Sequence, residues 1–470
     1  MTSLLDMPLE LLVQISTYVT TPDLSALRLT CKQLERSLWE WFADEFFVKK
    51  QFMITHPSLQ ALVDISRHPS LSKKLRYVII STHVYDINAV RGSFRNQKAR
   101  DIYMRASADQ EYLMKNGIHR EMLTEAFTSL ENLETVDVRD FNASRQRDGT
   151  DWKSWGVTTL YDLTGHLPGL YEIHGMNEAF LANLFSALFC SLGLAGRILP
   201  RFQVLFRKGI ALPDAAFFLP GFVYPAIQPV LRELKVLHLT VNLSANQTAP
   251  ECSRHLRQFL ICTQGLTELR LNFHRSVTGA NEDFLFWIGK SPTSPMQLPQ
   301  STQTVHDIVP PASLSHLKTL ELGFARTSPE PLLSAIKKFA PTLEKLSLWR
   351  ISFPTQDRPG DYAQWTQFFR DISLIPLPAL SHLKLGGLSH YSPNGMIYHD
   401  VIGRDKTRID REYSGDDMSG FLQALADEII VTPPVVRNYS AADLGTDSDE
   451  EHDDEQDDED EDDEDGSYSD

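Results

Sequence analysis

The residue types that most often carry enzyme chemistry are scattered along this chain. The four cysteines are far apart and include no C-x-x-C pair: Cys31, Cys190, Cys252 and Cys262. His166 and His174 have no cysteine or cluster of acids beside them, whereas a zinc site needs closely spaced ligands. The acidic pair Asp416-Asp417 stands in a polar segment, and acid–base catalysis needs two groups whose surroundings separate their pKa values.

Sequence motifs of common enzyme classes are also missing. The chain contains no phosphate-binding G-x-x-x-x-G-K-[ST], no dinucleotide-binding G-x-G-x-x-G, no H-E-x-x-H and no G-x-S-x-G. We therefore predict no catalytic, cofactor-binding or metal-binding residues. The sequence favours a protein that is not an enzyme and that uses no cofactor.

Charge is concentrated at one end of the chain. The net charge is −17, but 18 of the 62 acidic residues lie between Asp443 and Asp470, where Lys and Arg are absent. The rest has 44 acidic and 45 basic residues, so charge gives no reason to expect direct nucleic-acid or membrane binding. We predict that residues 431–470 form a disordered acidic tail. The tail either keeps the protein soluble or attracts basic partners.

The compartment is suggested by the N-terminus and the cysteines. The N-terminus lacks the basic region and cleavage site of a signal peptide, and isolated cysteines are typical of reduced thiols. Ala179 to Ala195 is uncharged for 17 residues, which is marginal for a membrane span, and Asn183 interrupts it. We predict a buried core helix there and a cytoplasmic or nuclear location.

Apolar residues at helical spacing dominate the first fifty positions. Pro8 to Val19 predicts a helix whose apolar sector covers roughly 220°, about twice the usual core-facing stripe. Thr21-Pro22-Asp23 predicts the start of a second helix, with Leu24 and Leu27 pointing inward. A third helical stripe continues through Leu27, Cys31, Leu34, Leu38 and Trp41. Three short helices cannot bury so many large side chains, so the surplus must meet the rest of the chain or another protein.

The string LLDMPLELLVQISTYVTTPDLSALRLTCKQLERSL resembles an F-box, and its "LRLTCK" stretch is most similar to F-box proteins of filamentous fungi. The resemblance implies docking onto a Skp-family adaptor and, through it, a cullin–RING ubiquitin ligase. It places seven residues at or near the adaptor interface: Leu5, Pro8, Leu11, Leu12, Ile15, Leu24 and Leu27. Met7 stands where Leu is commoner in the family, a change that a flexible apolar side chain should tolerate.

A leucine-rich string recurs in the middle of the chain. L-x-x-L followed by alternating apolar residues begins at Leu130, Leu231, Leu266, Leu314, Leu343 and Leu380. From Leu231 the starts are 35, 48, 29 and 37 residues apart, which indicates an irregular leucine-rich-repeat-like solenoid. Each unit would add a parallel strand and an outer helix. The predicted outer helices are Glu178–Leu194, Ser253–Thr263, Asp283–Ile288, Glu330–Phe339 and Gln364–Ile372.

Two features of this region stay open. A non-repeating α/β domain with leucine-rich strands is the alternative fold. Ser291 to Pro311 is rich in Pro, Ser, Thr and Gln and predicts a mobile insertion. Four aromatics near strand ends are candidate anchors for a partner, although such residues more often pack in the core: Phe273, Phe324, Trp349 and Phe353.

The predicted fold class is α/β. We expect an F-box domain at residues 1–50, a solenoid at 51–430 that binds an unknown protein substrate, and the acidic tail at 431–470. The predicted function is the substrate-recognition adaptor of an SCF-type ligase. The alternative is a scaffold that binds the Skp adaptor without a cullin, and an acidic-tailed chaperone of basic proteins is a weaker third reading.

Overall fold

The computed structural model describes residues 4, 7–85, 94–142, 153–166, 176–207, 209–243, 252–273, 278–291, 309–355, 363–391 and 398–430. All of these residues belong to one unit, Met1–Val431. The acidic segment 431–470 and most of the insertion at 291–311 lie outside the described residues. The disorder and mobility expected there therefore stay predictions.

Three helices form the N-terminal module: α1 (Leu9–Thr17), α2 (Thr21–Thr30) and α3 (Lys32–Phe47). The cap of α2 is Thr20, one residue earlier than expected. Its hydroxyl accepts a hydrogen bond from the Asp23 backbone N–H at 3.3 Å and donates to the Asp23 carboxylate at 2.6 Å. The predicted third stripe breaks at Cys31, whose extended backbone (φ −158°, ψ 155°) separates α2 from α3. Leu27 therefore belongs to α2 alone.

The N-terminal module has a small core of its own. Five apolar side chains from the three helices are buried together: Leu12, Leu24, Leu34, Leu38 and Phe46. Fully burying one such side chain stabilises a fold by about 1.5–3 kcal/mol. This cluster is separate from the main core, and Phe47 packs against both.

Fourteen strands lie within the described residues: β1 (Lys49–Met53), β2 (Tyr77–Ser81), β3 (Thr135–Arg139), β4 (Arg201–Leu205), β5 (Leu212–Pro213), β6 (Val236–Asn242), β7 (Glu268–Phe273), β8 (Thr319–Gly323), β9 (Lys345–Trp349), β10 (Ser352–Pro354), β11 (His382–Gly386), β12 (Ser389–Tyr391), β13 (Tyr398–Asp400) and β14 (Arg411–Ser414).

Eleven of these strands form one sheet in the order β1-β2-β3-β4-β6-β7-β8-β9-β11-β14, with β5 paired to β6. Successive strands lie side by side and are parallel, except that β14 is antiparallel to β11. Strands β10, β12 and β13 form a separate small sheet.

The helices after the N-terminal module lie in the connections between strands and at the end of the unit: α4 (His56–Arg67), α5 (Leu71–Lys74), α6 (Gln97–Lys115), α7 (Ile118–Ser129), α8 (Val157–Thr164), α9 (Met176–Leu194), α10 (Tyr224–Glu233), α11 (Arg254–Cys262), α12 (Thr278–Gly289), α13 (Pro329–Phe339), α14 (Gln364–Ser373) and α15 (Met418–Glu428). A 3₁₀ turn spans Asp214–Phe217.

The register lines up the leucines of successive strands on one face of the sheet. One row across the sheet is Leu237, Leu269, Leu320, Leu346 and Leu383. These side chains are buried in one continuous core with the apolar faces of the helices. Since side chains alternate along a strand, the residues between the leucines point to the opposite face. We call that opposite side, which is rich in polar residues, the polar face.

The leucine strings predicted the strands correctly. Each of the six ends in a strand, and the five predicted outer helices correspond to α9, α11, α12, α13 and α14. In the large sheet, β1, β4, β5 and β14 were missed because no L-x-x-L string marks them, and the strands of the small sheet were missed as well. The uncharged stretch Ala179 to Ala195 falls on α9, which packs in the core, and no described helix is long and apolar enough to cross a membrane.

Candidate partner-binding surface of the N-terminal module

Helix α1 has apolar side chains on two sides. Leu12 points into the core of the N-terminal module and is 6% exposed, and Ser16 beside it is buried. Leu9, Leu11 and Ile15 remain 50%, 43% and 38% exposed. The helix therefore uses one side for its own fold and leaves other apolar side chains uncovered, as its wide apolar sector predicts.

Large apolar residues exposed on the N-terminal module form a set that we call the uncovered face: Leu4, Leu9, Leu11, Ile15, Tyr18 and Leu29. Tyr18 and Leu29 are the most exposed, at 83% and 86%. Exposed apolar groups gathered on one small module are typical of a surface that binds a partner.

The seven interface residues expected from the sequence fall into different places. Leu5 lies outside the described residues. Pro8 is exposed at the N-cap of α1, and Leu11 and Ile15 belong to the uncovered face. The other three point toward the interior: Leu12 and Leu24 are buried, and Leu27 is half-buried against the core of the module. In this conformation Leu12 and Leu24 support the uncovered face from beneath.

Sequence reasoning left Leu4, Leu9, Tyr18 and Leu29 out of the interface set. Their apolar character was visible, but a helical wheel does not show which side of a widely apolar helix its own module covers. Tyr18 stands at helical spacing from Ile15 and Leu11, three and seven residues after them, and that spacing is the available signal.

An arginine joins α2 to α3. The Arg28 guanidinium lies 3.5 Å from the ring centroid of Phe42 and 5.4 Å from that of Trp39. Burial lowers the pKa of Arg28, and Glu35 opposes that shift. Stacking on two rings compensates part of the cost of burying the cation.

Helix α3 holds the N-terminal module against the α/β region. The Trp39 ring lies 5.6 Å from the His68 ring, centroid to centroid. Lys74 on α5 reaches the carboxylates of Glu40 and Asp44 at 3.1 and 2.7 Å. The hydrogen bond to Asp44 is the largest cause that raises the pKa of Lys74. These contacts are made by α3, so the outer sides of α1 and α2 stay available for a partner.

The family model of the F-box domain matches residues 4–38. This chain carries an F-box domain. An F-box implies, in general, binding to a Skp-family adaptor and a role as an SCF-type adaptor, and F-box proteins are typically adaptors rather than enzymes. No curated protein matches the sequence.

One cluster of buried ionisable groups is paired internally. On the polar face, the Tyr77 hydroxyl donates to Asp137 at 2.8 Å, and the Arg139 guanidinium donates to both Asp137 and Tyr77. Burial raises the pKa of Asp137, and the ion pair with Arg139 counteracts part of that rise. Burial likewise raises the pKa of Tyr77. The cluster links β2 to β3. This structural role accounts for its burial, and no catalytic role is needed to explain it.

The described residues contain no group of three or more His, Cys, Asp or Glu side chains placed to hold a metal ion. The four cysteines are free thiols, and burial raises the pKa of Cys190. A raised thiol pKa makes that sulfur a poorer nucleophile at neutral pH. The uncovered face of the F-box is therefore the surface that the geometry supports best as a functional site.

Proposed function

We propose that this protein is the substrate-recognition adaptor of an SCF-type cullin–RING ubiquitin ligase. The single observation that carries the proposal is the uncovered face on α1 and α2 of an F-box that α3 fixes to a large α/β region. In this arrangement the F-box domain, residues 1–50, docks on the Skp adaptor and the region 51–430 binds a protein substrate.

The proposed docking surface includes Leu5, Pro8, Leu11 and Ile15, with Leu12, Leu24 and Leu27 supporting it. Exposure of Leu11 and Ile15 supports direct contact with the adaptor. An aspartate at either position would place an unpaired charge in the interface, and such burial costs several kcal/mol.

We propose that residues 51–430 are an irregular leucine-rich-repeat-like solenoid. The consecutive parallel strands and the aligned leucines support this. Stacked repeats present an extended sheet surface, and such surfaces commonly bind proteins. A cytoplasmic or nuclear location and a fungal origin belong to the same proposal.

The test is affinity purification of the full chain from its native host. Wild type is compared with Leu11→Asp/Ile15→Asp and with Leu374→Asp, a matched control at a leucine that is 78% exposed outside the F-box. We expect the Skp adaptor and the cullin to co-purify with wild type and the control, and to be lost from the double variant.

Two other outcomes would contradict the proposal in different ways. Recovery of the adaptor without cullin would support the scaffold alternative. Absence of the adaptor from the wild-type sample would rule out both adaptor-based functions.

A further inference from the structure

Five polar side chains form one continuous series of contacts across the polar face of the sheet. The Glu268 carboxylate on β7 lies 2.5 Å from Nε2 of His238 on β6. Nδ1 of His238 lies 3.2 Å from the side-chain nitrogen of Gln203 on β4. The Gln203 side-chain oxygen lies 2.7 Å from the Tyr77 hydroxyl, which in turn lies 2.8 Å from the Asp137 carboxyl group. We call these five residues the polar relay.

The polar relay lies largely inside the folded sheet. Asp137, Gln203 and His238 are buried, and strand register places them side by side in one row across β3, β4 and β6. Glu268 is a partly exposed end of the relay. Buried polar groups obtain most of their hydrogen bonds from one another rather than from bulk water. The hydrogens available to the four contacts can therefore be counted.

The orientation of the Gln203 amide decides which group donates at each contact. Its nitrogen faces Nδ1 of His238, so that ring nitrogen accepts, and the imidazole keeps one hydrogen on Nε2 for Glu268. Its oxygen faces the Tyr77 hydroxyl, which has a single hydrogen but lies within hydrogen-bonding distance of Asp137 as well. If Asp137 is ionised, one of the two contacts of Tyr77 has no hydrogen.

The surroundings of the Asp137 carboxyl group also disfavour a charge. Oδ2 accepts a hydrogen bond from the Arg139 guanidinium, whereas the buried Oδ1 has no hydrogen-bond partner in the described part of the chain. An ionised carboxylate has acceptor sites on both oxygens, and burying it with one oxygen unpartnered is costly. A neutral carboxylic acid reduces this cost and brings a hydrogen of its own.

Charged groups near Asp137 act against this effect of burial. Arg139 on the same strand and Lys49 on β1 favour the ionised form. Arg201 on β4 adds a positive charge next to this row of the sheet. Lys49 and Arg201 are half-buried, so water screens part of their charge. Burial is the largest influence on Asp137, and it raises the pKa of this carboxyl group.

We propose that Asp137 is a neutral carboxylic acid in the folded protein at neutral pH and donates its hydrogen to the Tyr77 hydroxyl. The contact between these two residues then has Asp137 as the donor, and every hydrogen bond of the polar relay runs in one direction, toward Glu268. The relay is a pH-sensitive link between strands. Loss of the proton leaves Tyr77 with two acceptors for one hydrogen, which weakens the connection of β2 and β3 to β4.

The test compares the full chain with Asp137→Asn by thermal unfolding. The asparagine amide can accept from Arg139 and donate to Tyr77, so it reproduces the hydrogen bonds of the neutral acid. We expect a melting temperature within about 2 °C of wild type. A fall of more than about 5 °C would overturn the inference, because losing an ionised partner leaves the buried Arg139 charge uncompensated. The control Asp283→Asn removes the ion-pair partner of Arg257 and should lower the melting temperature.

The pH dependence of stability distinguishes the two states of Asp137 by its sign. If the folded state keeps a proton that the unfolded state loses above about pH 4, wild type should lose stability relative to Asp137→Asn as pH rises from about 4 to about 8. An ionised Asp137 stabilised by Arg139 would produce the opposite trend. Urea unfolding of both proteins across this range measures the difference, and a relative gain by wild type with rising pH would contradict the proposal.

Two spectroscopic measurements locate the proton directly. Infrared spectra of protein with isotope-labelled aspartate should show a carboxylic-acid C=O band at neutral pH that Asp137→Asn lacks. Nitrogen NMR should show a neutral His238 ring with its hydrogen on Nε2. Absence of the infrared band would refute the neutral acid. An imidazolium at His238 together with an ionised Asp137 would place the proton elsewhere in the relay and would equally overturn the inference.

Discussion

Shortening the exposed side chains of α1 should weaken adaptor binding without unfolding the F-box. The variant is Leu9→Ala/Leu11→Ala/Ile15→Ala. Alanine keeps the helix, because it has the highest helix propensity. The three side chains are 50%, 43% and 38% exposed, so a partner can still remove nearly half of their surface from water.

The magnitude follows from these fractions. Complete burial of a Leu or Ile side chain is worth about 1.5–3 kcal/mol, so burying the exposed part contributes about 1 kcal/mol per residue. Three residues together contribute about 3 kcal/mol, which corresponds to a Kd weaker by about two orders of magnitude.

The assay is isothermal titration calorimetry with a purified Skp-family adaptor. The matched control is Leu12→Ala, because Leu12 is on the same helix but only 6% exposed. Truncating this buried leucine should lower the stability of the module by about 2–5 kcal/mol. The molecules that remain folded should bind the adaptor nearly as tightly as wild type.

The reasoning would be refuted by a triple variant that stays folded and binds within about twofold of wild type. That result would mean that the uncovered face does not contact the adaptor. Greater loss of affinity in folded Leu12→Ala than in the triple variant would contradict the division of α1 into an inner and an outer side.

Three other predictions concern the α/β region and the tail. Burial lowers the pKa of Lys338 to about 8, so the folded state gives up its proton before the unfolded state does and stability should rise as pH increases from about 8 toward 10. The free energy of unfolding should rise by roughly 1–3 kcal/mol over this pH range. Measured by urea denaturation, this pH dependence should disappear in Lys338→Met and persist in the control Lys337→Met. Gly386→Ala should displace the Trp349 ring and lower the melting temperature, and an unchanged near-ultraviolet circular dichroism spectrum would contradict the close contact. Deleting residues 443–470 should reduce low-salt binding of basic proteins such as histones, and unchanged binding would leave the tail without that role.

The sequence predicted the elements well because local patterns encode them. Alternating leucines after L-x-x-L marked Val236–Asn242 and the later parallel strands, and helical periodicity marked Arg254–Cys262 and Pro329–Phe339. It failed at Arg201–Leu205, a central strand without that string, and at the antiparallel Arg411–Ser414. Their places depend on neighbours that are distant in the chain.

Of the four aromatics that the sequence offers as candidate anchors, two are buried and two reach the surface at least in part. Phe273 and Phe353 are fully buried, so they are not anchors and pack in the core, as such residues more often do. Phe353 stacks on Trp365 with the ring centroids 3.9 Å apart. Phe324 is exposed and Trp349 is half-buried. Proximity to a strand end does not reveal exposure, because the next connection can turn a ring toward either face.

The sequence by itself determined the F-box string, the helical periods and the leucine strands, since each depends on residues close together in the chain. Only the tertiary structure decided which side of α1 is uncovered, because its apolar sector is wide enough for two contacts. Only strand register placed Gly386 beside Trp349, and only the folded turns placed Phe324 and Arg350 in left-handed conformations. Side chains that are remote in sequence become one surface only when the fold fixes their neighbours.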